Sequence, residues 1–361
     1  MKKKYTVLLL SAPIGSGHKL AAEALEQVLS QHPDINVIHG NVFDFFPKFI
    51  GSTFLSCYLK ILEICPWLYE LAYKWGNKES GSLWLRSFVN RVLTCLAKGY
   101  LDSVRPDAVV ATHATPAGII SIYKEKHPDL WLGAVVTDFT VHRWWLVDGV
   151  DTYFVGNELL RKKIKCQADV LAYGIPVRQQ YLHLDKEKCR QIFGWKSEQQ
   201  VCLLMGGGEG LLPMEEIVEQ LREKMPQLRL LAITGRNEKL ALRLKGKYGD
   251  SLEVYGFRED VPQLMSAADM IITKAGGLTA AEVMVSDLQF LIYKPLPGQE
   301  SGNAAFLHRH CHAYVAHNLQ QLVDGVINMS RDSSVPHQFY GRPNAAEDIC
   351  NYIISRLPKK V

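Results

Sequence analysis

The chain has 361 residues, 47% hydrophobic and 22% charged, with a formal net charge of +4. Such a composition belongs to a folded globular protein rather than a disordered one, and the length suits two domains of ordinary size. The small basic excess falls wholly within residues 1–180, which is too thin for a nucleic-acid face but suits an anionic membrane surface.

In chain order, Tyr5 to about Ser30 reads as a strand and a helix joined by Gly15-Ser16-Gly17-His18, followed by a short strand at Ile35–Ile38. From about Phe43 to Lys98 the pattern is helical and unusually aromatic. Apolar runs at Ala108–Thr112, Trp131–Val136 and Thr152–Val155 then alternate with helical stretches, as a parallel sheet buried on both faces requires. Tyr181–Lys188 reads as a linker. Beyond it strands are expected at Val201–Met205, Leu228–Ile233, Leu252–Tyr255, Met270–Thr273 and Phe290–Tyr293. The helices between and after them are predicted at Met214–Lys224, Glu238–Tyr248, Val261–Ala267, Thr279–Val285 and Ala304–His310, with a last helix over Asn344–Leu357. The expected division is 1–183 for a first Rossmann-like domain, 184–343 for a second, and 344–361 for a helix packing back on the first.

The glycine loops carry the chemistry. Gly206-Gly207-Gly208-Glu209-Gly210 follows its strand as Gly15-Ser16-Gly17-His18 follows the first, and both are expected to open helices. Glycine lets backbone N–H groups approach an anion, and a helix N-terminus adds its positive end. Two such units imply an α/β protein of two Rossmann-like domains facing each other across a cleft, and a nucleotide-sugar is the ligand we read for it. The first loop is neither a P-loop, since the lysine is missing, nor a full dinucleotide fingerprint, since no third glycine follows. His18 in a first helical turn is a candidate base; the alternative is a helix-capping histidine without chemistry. His113 and Asp138 lie at strand ends, where open α/β sheets gather ligands, and His142-Arg143-Trp144-Trp145 follows in a loop. A third turn, Thr273-Lys274-Ala275-Gly276-Gly277-Leu278-Thr279-Ala280-Ala281-Glu282, places a carboxylate inside the new helix, where it can bridge ribose hydroxyls while the turn lies against phosphates. Pro295-Leu296-Pro297-Gly298-Gln299-Glu300-Ser301-Gly302-Asn303 is expected at a strand end, and its amides and carboxylates suit a sugar. The His308-Arg309-His310-Cys311-His312 run is read as a solvated helix end, not a zinc site.

These segments resemble the lipid-linked branch of glycosyltransferase family 28, which includes monogalactosyldiacylglycerol synthases and bacterial diacylglycerol glucosyltransferases. The resemblance covers nearly the whole chain, through the GSGH loop, the VTDF stretch, the GGGEG loop, and the TKAGGLTAAE and PLPGQESGN segments. Ala275 departs from it where proline is expected. The resemblance implies a GT-B fold and an inverting transfer of a hexose from a UDP-sugar to a membrane lipid, most simply diacylglycerol. It implies no cofactor and no metal, in keeping with the lack of any Asp-x-Asp in the chain. Carried over, Glu282 holds the ribose; Gly276, Gly277 and Leu278, with Thr279 in the same turn, hold the phosphates; Gln299, Glu300 and Asn303 read the sugar. Phe257 flanks the uracil with Arg258 nearby, while Gly17, Gly207 and Gly208 complete the anion-binding loops. His18 becomes the base, with Asp138 as its partner or its rival.

The aromatic stretch Phe43–Trp84, interleaved with lysines, is the expected membrane-docking surface. No run of about 18 uncharged apolar residues occurs, and the apolar run after Met1-Lys2-Lys3-Lys4 is too short for a signal peptide. Eight cysteines without a CxxC pair point to a reducing cytoplasm. The expected location is therefore the cytoplasm, at the inner face of the membrane of a bacterium. Three other readings remain open: GlcNAc transfer to a polyprenyl-linked or other lipid, a dinucleotide-dependent oxidoreductase with an acid at the end of the second strand, and a non-catalytic sensor.

Overall fold

The computed structural model describes residues 4–12, 16–45, 71, 75–77, 83–331 and 341–358. The chain divides into two compact units. The first comprises Met1–Gln179, Pro297–Gln299 and Arg342–Val361; the second comprises Gln180–Leu296 and Glu300–Gly341.

The first unit is built on a six-stranded parallel sheet, β1 (Tyr5–Ser11), β2 (Ile35–Asn41), β3 (Ala108–Ala111), β4 (Trp131–Val135), β5 (Thr152–Phe154) and β6 (Asp169–Leu171), in the order β2-β1-β3-β4-β5-β6. Alternate residues of β1 serve opposite cores. Leu8 and Leu10 pack with Ala97 and Leu101 of α2 (Leu83–Val104) and Ile119 and Ile120 of α3 (Ala114–Lys124), while Val7 and Leu9 pack with Leu25 and Leu29 of α1 (Ser16–Leu29). A sheet covered on both faces explains why its strands read as continuous apolar runs. The same α1 core takes in Ile349, Cys350 and Ile353 of the terminal helix Ala345–Arg356, so the chain returns to the first sheet at its end. The close approach of α2 to α3 depends on Gly118, where a Cβ would stand 2.2 Å from Asn90 Nδ2.

The second unit repeats the plan with β7 (Val201–Met205), β8 (Arg229–Ile233), β9 (Glu253–Tyr255), β10 (Met270–Thr273), β11 (Gln289–Tyr293) and β12 (Tyr314–Ala316), ordered β12-β11-β10-β7-β8-β9 and parallel throughout. Its helices Met214–Lys224, Glu238–Tyr248 and Val261–Ala267 coincide with the sequence expectation.

Several elements differ. The strands β6 and β12 and the helix Leu319–Arg331 are additions to the sequence expectation; the two strands are three residues each and only partly buried, so they leave no continuous apolar run. The expected linker turns helical at Lys186–Phe193, where Asp185 caps the start and Gly194 the end. Its Arg190 is buried, bonding carbonyls of Ala267, Lys196, Ser197 and Gln199 and pairing with Asp269 at 2.7 Å. The second glycine loop does not lead straight into a helix. Leu211, Leu212 and Pro213 intervene before Met214, because proline, lacking an N–H, fits the boundary of a helix rather than its interior. Gln299 and Glu300 stand in the first turn of a helix, Gln299–His310, rather than in a strand-end loop.

Candidate active site

In the first unit the site gathers at the carboxyl ends of β1, β3 and β4. His18 is the third residue of α1, with Gly17 before it. Its Nδ1 lies 2.7 Å from the carbonyl oxygen of Thr112, just past β3. A carbonyl has no hydrogen to give, so Nδ1 carries the ring hydrogen and donates it. Thr137 Oγ1, 2.9 Å from the same nitrogen, is a second acceptor. Thr112 Oγ1 donates in turn to the His18 carbonyl at 2.9 Å, locking the helix start to the strand end. Nε2 is therefore left with its lone pair. Burial holds the ring's pKa below its ordinary value; the charge of Asp138 and the Thr112 carbonyl oppose the shift without cancelling it. Asp138 is itself 4% exposed. A neutral imidazole with a bare Nε2 at pH 7 is the form a general base must have.

Two further rings line this corner. His113 stands edge-on to His18, with centroids 4.7 Å apart and planes at 81°, and lies 6.3 Å from Trp145. His142 caps the short turn Arg143–Trp145 by accepting from Trp144 N–H, and Arg86 of α2 donates to the carbonyls of Arg143 and Leu146.

In the second unit the polar groups are mostly backbone. Gly207, with φ +73°, turns the loop after β7, and Gly210 N–H closes it on the Gly207 carbonyl. Gly208 lies next to it, and its carbonyl accepts from Arg236 N–H. Gly276 caps the helix Gly277–Val285, whose first residues are Gly277, Leu278 and Thr279; Glu282, 4% exposed, lies one turn further on. Asn303 is fully buried and donates its amide to the Ala275 carbonyl, bracing the turn from beneath. Phe257 is 66% exposed just past β9, with the Arg236 guanidinium 5.8 Å from its ring and Arg236 paired with Glu209 of the glycine loop. Arg258 is paired with Asp260 and stacks over Tyr255.

Sequence reasoning passed over Lys274. It follows β10, and a Cβ on Gly207 would come 3.0 Å from its Cε, so it stands directly beside the glycine turn. Its Nζ pairs with Glu300 at 2.7 Å, and Glu300 also accepts from Leu296 N–H. Lys274 lies within the Thr273–Glu282 motif, but its nearness to a loop some seventy residues away in sequence has no local signal. The expected docking stretch ends at Trp84; the structure carries its exposed stripe on along α2 through Phe88, Val92 and Leu96, spaced by four, which the sequence reading did not single out.

Two six-stranded parallel sheets covered by helices, one unit holding a neutral histidine at its strand ends and the other glycine turns, are the architecture of an α/β protein of GT-B type. The comparisons with known proteins agree. Residues 18–177 match the family model for monogalactosyldiacylglycerol (MGDG) synthase, and 201–334 match that for the glycosyltransferase family 28 C-terminal domain. A processive diacylglycerol beta-glucosyltransferase of Bacillus cereus (strain AH187) is 30% identical over 321 residues, covering 86% of this chain and 81% of that protein. Its namesake in Bacillus pumilus (strain SAFR-032) is 27% identical, over 92% of this chain and 88% of that one. Among solved structures, Acinetobacter baumannii MurG superposes with a TM-score of 0.66 at 18% identity, over 98% of this chain and all of the other. The glycosyltransferase of kitacinnamycin does so at 0.66 and 11% identity, over 99% of this chain and 100% of that one. The chain belongs to glycosyltransferase family 28, in the branch of the diacylglycerol glucosyltransferases.

Proposed function

We propose that this glycosyltransferase moves a hexose from a UDP-sugar to the free hydroxyl of a membrane diacylglycerol, with inversion and without a metal ion. The observation that carries the reading is the His18 tautomer: Nδ1 is committed to the Thr112 carbonyl, so Nε2 is the one ring atom able to take the acceptor's proton. The relatives' names supply the lipid.

In this mechanism His18 Nε2 removes the hydroxyl proton as the oxygen attacks the anomeric carbon from the face opposite the diphosphate. Inversion follows from a single displacement. Asp138 stabilises the imidazolium as it forms, the role its opposing effect on the ring's acidity already suggests. The departing diphosphate is met by the Gly207 and Gly277–Thr279 amides, by the N-terminus of the Gly277–Val285 helix and by the Lys274 ammonium. Glu282 takes the ribose and Phe257 the uracil face. Glu300, held by Lys274, reads the sugar with Gln299.

Among the described residues no helix is long and apolar enough to cross a membrane. The exposed stripe of α2 supports docking at an anionic bilayer surface, because indole and phenyl groups suit the interface. Phe45, by contrast, is half-buried against Tyr100 at 4.9 Å and belongs to the fold. Phe46, Phe49 and most of the expected aromatic stretch lie outside the described residues. β2 runs on to Asn41 and ends without a carboxylate, the nearest acid being Asp44 in the following turn Val42–Phe45, which weighs against the dinucleotide reading. The test is the mass of the glycolipid formed from diacylglycerol vesicles and a panel of UDP-hexoses and UDP-GlcNAc, repeated in EDTA. A hexosyl-diacylglycerol formed equally with chelator is expected. Product only from UDP-GlcNAc and a polyprenyl acceptor, or turnover that needs added magnesium, would overturn it.

A further inference from the structure

We propose that His113 is a hydrogen-bond donor to the oxygen of the acceptor hydroxyl, paired with His18 so that the two rings together read one O–H group. This rests on the reading of His18 as the base toward a lipid hydroxyl.

The argument is one of tautomers. His113 precedes α3 in extended conformation, φ −143° and ψ 154°, and its Nδ1 accepts the N–H of Thr115 at 3.1 Å. A nitrogen that accepts carries no hydrogen. Burial, reinforced by the nearby His18 ring, holds His113 neutral by pushing its pKa well below the ordinary value. A neutral ring with a bare Nδ1 has its hydrogen on Nε2. His18 has the reverse pattern, with its hydrogen on Nδ1 and its lone pair on Nε2. Two imidazoles in edge-on contact thus differ in what their far nitrogens offer: one accepts and the other donates.

A hydroxyl needs one of each. Its proton goes to His18 Nε2 and one oxygen lone pair accepts from His113 Nε2–H, leaving the second lone pair to attack. In the transfer the O–H bond breaks toward His18, the oxygen lone pair forms the new bond to the anomeric carbon, and the old bond's electrons leave with the diphosphate. His113 keeps its proton throughout. It fixes the direction of attack, and misdirection on this scale costs about 100-fold. Helix capping alone would need only Nδ1 and would be indifferent to what lies on the far side of the ring.

The two nitrogens are separated by substitution. An asparagine amide reaches where Nδ1 stands and is a preferred cap, but it does not reach Nε2; a glutamine amide reaches Nε2 and gives up the cap. His113→Asn is expected to keep the parent's melting temperature and donor KM, and to lose about 100-fold in kcat/KM for diacylglycerol. His113→Gln is expected to melt lower yet transfer within about tenfold of the parent. The reverse pattern, an active Asn and an inactive Gln variant, overturns the assignment and leaves His113 as a cap. Should His113→Asn fail to fold, the Gln variant decides: transfer supports the proposal, and loss of transfer with donor binding intact overturns it. A parent protein inert toward diacylglycerol would instead overturn the lipid reading, and this assignment with it.

Discussion

The two units handle charge by different means. On the proposed reading, the first unit's chemistry rests on side chains whose hydrogens are fixed by backbone partners: His18 on the Thr112 carbonyl, His113 on the Thr115 amide. In the second, it rests on backbone turns at Gly207 and Gly276 with a single lysine beside them. A proton acceptor must have one protonation state, so it needs a partner that dictates the tautomer. A diphosphate needs only many donors and a positive charge, which glycine turns provide with little dependence on side chains. Substitutions should therefore act on turnover in the first unit and on binding in the second.

The largest effect is expected at His18. His18→Ala should lower kcat by 10²–10⁴-fold with little change in UDP affinity by calorimetry. The pH profile carries the same information. Burial lowers this histidine's pKa, so the neutral, basic form persists below pH 6.5 and the acid limb of kcat/KM should fall below that value. The sign for stability follows: the unfolded ring takes up a proton near its ordinary pKa and the folded ring only at lower pH. His18 thus contributes stability present above about 6.5 and lost as pH falls through the folded value. Asp138→Asn should lower kcat and move the acid limb to still lower pH, because the charge that favours the imidazolium is gone. Complete loss of turnover in that variant, beside a largely active His18→Ala, would make Asp138 the base.

Much of this contrast is legible in the sequence, and the remainder shows what a sequence hides. Glycine turns are local: Gly206–Gly210 and Gly276–Gly277 announce themselves between an apolar run and a helical pattern, and their strands fall within a residue or two of expectation. The placement of His18 in a first helical turn is equally local. Its tautomer depends on Thr112, 94 residues away, and Lys274 acquires its place from a loop in another strand–turn unit. Arg190, just past what reads as a linker, is buried with five partners, the farthest 79 residues away in sequence. Long-range polar partners leave no period in the sequence; apolar alternation does.

Within the second unit, Lys274 and Glu282 should separate the diphosphate from the nucleoside. Lys274→Met removes a cation beside the glycine turn, and should weaken UDP binding by about 1.5–3 kcal/mol while leaving uridine binding unchanged. Glu300 loses its partner in that variant, so Lys274→Met/Glu300→Gln is the companion that keeps the pair balanced. Glu282→Ala should weaken both UDP and uridine, by about 1.5–3 kcal/mol, because the ribose is common to them. Equal losses for uridine in both variants would erase the distinction, and unchanged UDP affinity in Glu282→Ala would leave that carboxylate a helix residue only.

The smallest expected effect distinguishes a core aromatic from an interfacial one within the first unit. Phe45 is half-buried against Tyr100, whereas Phe88 is 61% exposed on the outer stripe of α2 with Trp84, Val92 and Leu96. A phenyl group already in water loses nothing on folding when it is replaced, but loses the gain of entering a bilayer. Full burial of such a side chain is worth about 1.5–3 kcal/mol, and seating at the headgroup level recovers only part of it. Phe88→Ser should therefore weaken binding to anionic vesicles about tenfold, at unchanged melting temperature and UDP affinity. Phe45→Ser should do the opposite, lowering the melting temperature, since its ring packs within the fold. Vesicle co-sedimentation and thermal melting of the two variants read the contrast directly. If Phe88→Ser sediments like the parent and melts lower, the stripe is part of the core and the membrane is met elsewhere.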